Sequence, residues 1–117
     1  MTGSTFAHHP VKSRFQIDKK TQISGRIQRV EFASPHTYVF VEQLVNEKNV
    51  ETDTVVWQVE WSSTRSIVEL YHITKKQLAK GTGITLTGYA GTEAGSKVFL
   101  PISMKTSSGI EWQRANH

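Results

Sequence analysis

Two stretches, HTYVFVEQLV at residues 36–45 and TVVWQVEW at residues 54–61, decide the fold of this chain. Both are rich in β-branched and aromatic residues, a composition typical of β-strands. The segment between them, residues 46–53, is polar and charged. The two stretches therefore predict a β-hairpin with a long connection.

The segment before the hairpin predicts a long and bent first strand. Apolar or small residues alternate with polar ones from residue 23 to residue 27, and the alternation resumes in the opposite phase at Val30 and Phe32. A slip of one position in a period of two indicates a β-bulge near Gln28 and Arg29. Such a bulge is a common way to bend a strand around a barrel.

The segment after the hairpin alternates between turn signals and strand-like runs. Hydroxyl side chains at residues 62–64 predict a cap for a short helix over residues 65–71, which can plug one end of a barrel. A capped helical turn at 74–78, strands at 84–90 and 98–105, and a short closing strand at 110–112 follow. This order predicts an all-β, OB-like barrel of five to six strands with one short helix between strands 3 and 4.

Composition limits the possible functions. The length of 117 residues predicts one domain, with an extended N-terminal arm over residues 1–21 and the barrel over residues 22–117. The chain has no cysteine, which excludes disulfides, thiolate metal sites and a cysteine nucleophile, and no apolar run is long enough for a transmembrane segment. Hydrolase and phosphate-binding motifs are absent, so the sequence favours a binding module over an enzyme.

Histidines are the candidate metal ligands. His8 and His9 are adjacent on the arm, and His36 follows a proline at the start of the second strand. Imidazole nitrogen suits copper and zinc, so an arm that folds back can form a three-nitrogen site with the rim histidine. The pattern alone fits equally well a solvated histidine pair on the arm. For His36, the alternative is a strand-end histidine that caps backbone groups.

Four segments resemble a family of small exported bacterial proteins of unknown function. They are AHHPVKSRF at residues 7–15, VEFASPH at 30–36, VVWQVE at 55–60 and SSGIEW at 107–112. That family is marked by an Ala-His-His-Ser-Phe start, a Val-x-Trp-x-Asn-Pro-His motif, a Trp-x-x-Glu strand and a closing Asp-Gly turn. The residues that match its motifs are His8, His9, His36, Trp57 and Glu60.

The resemblance implies a periplasmic or secreted protein. In the family the double histidine follows an export signal that ends in alanine, so Ala7 is expected to be the last signal residue and His8 the first residue of the mature chain. The α-amino nitrogen and imidazole of His8 can then chelate copper together with His36, in the manner of a histidine brace. The implied partners are a metal ion, copper before zinc, or another exported protein.

Glu60 is the candidate carboxylate of the same site. If the hairpin is symmetric about Asn49 and Val50, the end of the third strand lies beside the start of the second and brings Glu60 near His36. A plain exposed strand glutamate is the equally weighted alternative, because a slip of one residue turns the side chain to the other face. Glu31 is the substitute candidate.

A competing hypothesis is a module that binds single-stranded nucleic acid or a protein. OB-folds bind oligonucleotides by stacking bases on aromatic side chains over a basic groove. The net charge of +4 favours acidic partners mildly, and an exported location disfavours nucleic acid. The candidate residues are Tyr38, Phe40, Trp57 and Trp61 with Arg26 and Arg29.

Overall fold

The strands observed in the protein follow the predicted order closely. A computed structural model describes residues 14–44 and 54–115. The strands are β1 (Thr21–Glu31), β2 (Tyr38–Leu44), β3 (Thr54–Glu60), β4 (Gly83–Ala90), β5 (Val98–Thr106) and β6 (Glu111–Gln113). Residues 1–13 of the predicted arm lie outside the described residues.

The sheet closes on itself to form a barrel. The strand order is β3-β2-β1-β4-β5-β6, and an additional parallel pairing joins β3 to β5. In that pairing Gln58 lies opposite Val98 and Val59 lies opposite Phe99. The five strands β1 to β5 therefore form the closed barrel with β6 added to β5, which confirms the predicted all-β, OB-like class.

The segment between β3 and β4 contains only short helical turns. Ser66–Leu70 is a π-helical turn, and Lys75–Leu78 is a 3-10 turn. Thr74 and Gln77 form a capping box at the start of the second turn, which confirms the capped turn predicted at 74–78. Ile67 is fully buried in the barrel core, so the first turn plugs one end of the barrel as expected. None of the helical turns in the described part of the chain has the length or apolar content needed to cross a membrane.

Two β-bulges bend the sheet. Ile27 pairs with Val41 and Arg29 pairs with Phe40, so Gln28 is the extra residue, as the phase slip predicted. A second register shift occurs in the pairing of β4 with β5, between Thr87 and Gly88, where Gly88 lies opposite Pro101. Bulges at these points provide the local twist that a small closed barrel requires.

The hairpin divides its side chains between the two faces of the sheet. Val39, Val41 and Val59 point into the core and are fully buried, whereas Tyr38 and Phe40 are half-buried on the outer face. A second and smaller cluster lies apart from the main core. It consists of Phe15, Tyr89 and Ile102.

The small cluster holds the end of the arm against the barrel. Phe15 is fully buried and forms a β-bridge with Gly91, and the Gln16 backbone N–H donates to the Ala90 carbonyl at 2.9 Å. The Thr92 backbone N–H donates to the Arg14 carbonyl at 2.9 Å. The chain therefore leaves the described region from a fixed point beside the end of β4.

Candidate functional site

The register of the hairpin brings His36 and Glu60 together. Tyr38 pairs with Glu60 and Val39 with Val59, so the midpoint of the hairpin is Asn49, close to the centre assumed from the sequence. The Nε2 atom of His36 lies 3.8 Å from the Oε2 atom of Glu60. The structure thus joins an imidazole from the β1–β2 loop and a carboxylate from the last residue of β3.

A backbone hydrogen bond orients the His36 ring. Its Nδ1 atom lies 3.1 Å from the Trp61 carbonyl oxygen. A carbonyl oxygen can only accept, so Nδ1 is the protonated nitrogen of this hydrogen bond. In the neutral ring, Nε2 then carries the free lone pair and faces Glu60. This arrangement is the one found for histidines that bind metals, where the second nitrogen is bonded to a carbonyl or carboxylate.

Arg14 joins the arm to the same carboxylate. Its Nη2 atom lies 3.1 Å from Glu60 Oε2, the oxygen that His36 also approaches. The Glu60 side chain is only 13% exposed, whereas the side chain of Arg14 is 44% exposed. The guanidinium therefore neutralises a largely buried carboxylate and shields it from solvent on one side.

These groups line one cleft on the outside of the barrel. It has a volume of about 540 Å³. The residues that line it are Arg14, Ile17, His36, Glu60, Tyr89, Leu100 and Arg114. The cleft combines an imidazole, a carboxylate, two guanidinium groups and an apolar wall, and its size suits a small ligand.

Arg114 is the second cation of the cleft. Burial lowers the pKa of its guanidinium, while Tyr71 and Glu60 act in the opposite sense. Its Nε donates to the Pro101 carbonyl at 2.9 Å, and its backbone N–H donates to the Ile102 carbonyl at 2.8 Å. The side chain is thereby fixed to the bulged part of β5.

The predicted metal ligands divide between the described and undescribed parts of the chain. His36 and Glu60 lie together, but the described residues contain no group of three or more histidine, aspartate or glutamate side chains placed to hold a metal. His8 and His9 lie outside the described residues. Glu31, the substitute carboxylate, forms an exposed ion pair with Arg29 of the same strand, β1.

The aromatic residues of the competing hypothesis lie in two different environments. Trp61 is 1% exposed, and half-buried Trp57 contacts Phe99 edge-on and packs against the core. On the outer face, Tyr38 and Phe40 are half-buried, and the guanidinium carbon of Arg29 lies 3.8 Å from the Phe40 ring centroid. Arg26 is exposed on the same sheet. Two of the four aromatics, Tyr38 and Phe40, therefore lie on the outer face of the sheet, and the other two pack in or against the core.

Sequence reasoning missed the two arginines of the cleft. Arg14 immediately precedes Phe15, and Arg114 follows the closing strand, but neither position belongs to a recognisable motif. The arginines reach the cleft through tertiary pairing, with Arg14 beside β4 and Arg114 against β5. Only the large aromatic after Arg14 was a signal that this part of the arm is anchored.

Comparison with known proteins agrees with the family-level resemblance. No curated protein matches the chain at a significant level. A family model described as a family of unknown function, DUF6152, matches residues 1–99, which include the arm, the hairpin and most of the barrel. The chain therefore belongs to the DUF6152 family of unknown function.

Proposed function

We propose that this protein is an exported bacterial module that binds a transition metal, copper before zinc. The ligands are His36 and Glu60 in the cleft together with His8 and His9 from the arm. The observation that carries the proposal is the orientation of His36, whose Nδ1 is bonded to the Trp61 carbonyl at 3.1 Å while its Nε2 faces Glu60. Bound copper would supply a redox-active centre, and the chain's own residues would hold and orient it.

The distance between the two described ligands is compatible with one metal ion. Bonds from zinc to nitrogen or oxygen are about 2.0–2.2 Å long, so two ligand atoms of one tetrahedral ion lie roughly 3.4 Å apart. The separation of His36 Nε2 and Glu60 Oε2 is 3.8 Å. A small approach of the two side chains would therefore suffice for shared coordination.

Arg14 supports the proposal in two ways. Its guanidinium lies 3.1 Å from Glu60, which compensates the buried carboxylate when no cation is bound. A metal ion would take over this role and release Arg14. The backbone of Arg14 is also fixed beside β4, which sets the point from which the preceding residues extend.

The arm is long enough to reach the cleft. Arg14 is five positions after His9, and an extended chain spans at most about 3.3–3.6 Å per position, or roughly 17 Å in total. Arg14 itself lines the cleft together with His36. His8 and His9 can therefore return to His36 without moving the anchored part of the arm.

Copper is proposed before zinc because the ligands are mainly nitrogens and because copper binds such sites more tightly than other divalent first-row metals. The exported location rests on the Ala7-His8-His9 sequence and its resemblance to processed exported proteins. Processing before His8 would expose an α-amino nitrogen next to the imidazole. This amine would add a further ligand of the histidine-brace type.

Calorimetric titration of copper(II) and zinc(II) tests the proposal. We expect one metal per chain, with binding weakened at least tenfold in His36→Ala and in the double variant His8→Ala/His9→Ala. His72→Ala is the matched control, because His72 is exposed and does not line the cleft. Tighter copper binding by a chain that begins at His8 would support the brace. Equal binding by the parent and the His36→Ala variant would refute the site.

A further inference from the structure

The cleft carries a positive charge that its own residues leave unmatched. Glu60 is the single carboxylate among the described residues that line it, and Arg14 already lies 3.1 Å from it. Arg114 lines the same cleft, yet within the described residues it forms no ion pair at 4.0 Å or less. Among the described lining residues, the two guanidinium groups therefore outnumber the carboxylate by one.

Arg114 is fixed in place through its Nε atom, and its terminal nitrogens remain as hydrogen-bond donors. Its Nε donates to the Pro101 carbonyl at 2.9 Å, and its guanidinium carbon lies 5.4 Å from the Trp112 ring centroid. Among the described residues, no acceptor is bonded to its two terminal Nη groups. A guanidinium held through Nε keeps its outer fork available for a carboxylate, which it can bind through two parallel hydrogen bonds.

The wall beside Arg114 is apolar. Leu100 is half-buried, and Ile17 is 42% exposed although it is a large aliphatic residue. Together with the ring of Tyr89 they line the same volume of about 540 Å³ as Arg114. A pocket of this size with a few fixed polar groups and an apolar wall is typical of small-molecule sites.

We propose that the cleft binds a small organic carboxylate with an apolar body. The terminal nitrogens of Arg114 hold the carboxylate, and the apolar body lies against Leu100 and Ile17. This site goes beyond the proposed metal function and does not require the metal, because Arg114, Leu100 and Ile17 are not among the proposed metal ligands. The ligand is thus defined by a planar carboxylate group attached to a hydrocarbon group.

A titration of the metal-free protein with benzoate tests the proposal. Binding is monitored by nuclear magnetic resonance, and a chelator is present throughout. We expect saturable shifts at Leu100 and Ile17 and at least tenfold weaker binding of neutral benzamide and of acetate, which lacks the apolar body. Arg114→Gln should weaken benzoate binding at least tenfold. Arg65→Gln is the matched control, because Arg65 pairs with Glu69 away from the cleft.

Arg114→Gln loses the hydrogen bond to the Pro101 carbonyl and could fail to fold for that reason. Arg114→Lys is then the variant that tests the proposal. Lysine retains the charge but lacks the fork, so we expect benzoate binding several-fold weaker than in the parent. The proposal would be overturned if the parent did not bind benzoate or if Arg114→Lys bound it as tightly as the parent. It would also be overturned if inorganic phosphate bound as tightly as benzoate. Since the chelator removes metal throughout, these outcomes are distinct from failure of the metal titrations described above.

Discussion

The Trp61 and Trp112 rings pack edge-on with their centroids 5.5 Å apart, and the backbone carbonyl of the same Trp61 orients the His36 ring. Tyr71 stacks on Trp61 from another side at 6.2 Å, and its hydroxyl lies 2.8 Å from the Ser62 hydroxyl. The aromatic group therefore joins the end of β3, the π-helical turn and β6. The ring of His36, which is bonded to this backbone, is therefore fixed against the barrel core although His36 itself lies in the β1–β2 loop.

Trp61→Ala should destabilise the barrel strongly. Trp61 is 1% exposed, and removing a large buried aromatic typically costs about 3–5 kcal/mol, because buried contacts are lost and a cavity remains. Chemical denaturation followed by circular dichroism measures the change in the free energy of unfolding. Leu70→Ala is the control, since Leu70 is 71% exposed and should change that free energy by less than about 0.5 kcal/mol. Similar losses in both variants would contradict this account of the core.

Gly88→Ala should destabilise the barrel through a backbone clash. A Cβ atom at Gly88 would overlap the carbonyl oxygen of Leu100, where β4 pairs with the bulged part of β5. Backbone shifts forced by such overpacking typically cost about 1–3 kcal/mol. Gly83→Ala is the matched control in the same strand, because its Cβ would lie 3.5 Å from the Ser107 hydroxyl oxygen, an ordinary contact. The midpoint of thermal unfolding should be clearly lower for Gly88→Ala than for Gly83→Ala. A Gly88→Ala protein as stable as the parent would show that the two strands can move apart at this position without cost.

Phe15→Ala should release the anchor of the arm while the main barrel stays folded. Phe15 is 1% exposed in the small cluster with Tyr89 and Ile102, which lies apart from the main core. Truncation of a buried phenylalanine typically costs about 3–5 kcal/mol, and because the cluster lies apart from the main core we expect this loss in the free energy of opening the arm rather than in that of unfolding the barrel. Hydrogen exchange at the Gln16 and Thr92 amides reports the anchor directly. Unchanged protection of these two amides would show that the backbone bonds hold the arm without the ring.

Much of the fold could be predicted because its signals are local. Alternation with a period of two located the strands, and the change of phase before Val30 located the bulge at Gln28. The Thr74 hydroxyl and the Gln77 amide, three positions apart, specified a capped turn. The π-helical form of Ser66–Leu70 was not predictable, because it depends on how Ile67 is drawn into the end of the barrel.

The candidate site was only partly predictable for a related physical reason. His36 and Glu60 meet because the hairpin register is set by alternating buried and outward residues, and that register can be derived from the sequence. Arg14 and Arg114 reach the cleft by pairing with β4 and β5, whose ends are distant along the chain. Contacts of this kind leave no periodic signal in the residues that make them.

Arg14→Gln should strengthen metal binding if the proposed site is correct. Arg14 and the metal ion compete for Glu60, since Nη2 of Arg14 lies 3.1 Å from the carboxylate oxygen nearest His36. Removing the guanidinium leaves the carboxylate without its compensating charge, so a bound cation gains a larger share of the interaction with Glu60. We expect copper affinity to rise several-fold in calorimetric titration, while Glu60→Gln should lower it about tenfold. Arg65→Gln is the control, because it breaks an exposed ion pair with Glu69 elsewhere on the surface. The backbone bonds of Arg14 remain in the variant, so the arm keeps its anchor and a fall in affinity would contradict competition for Glu60.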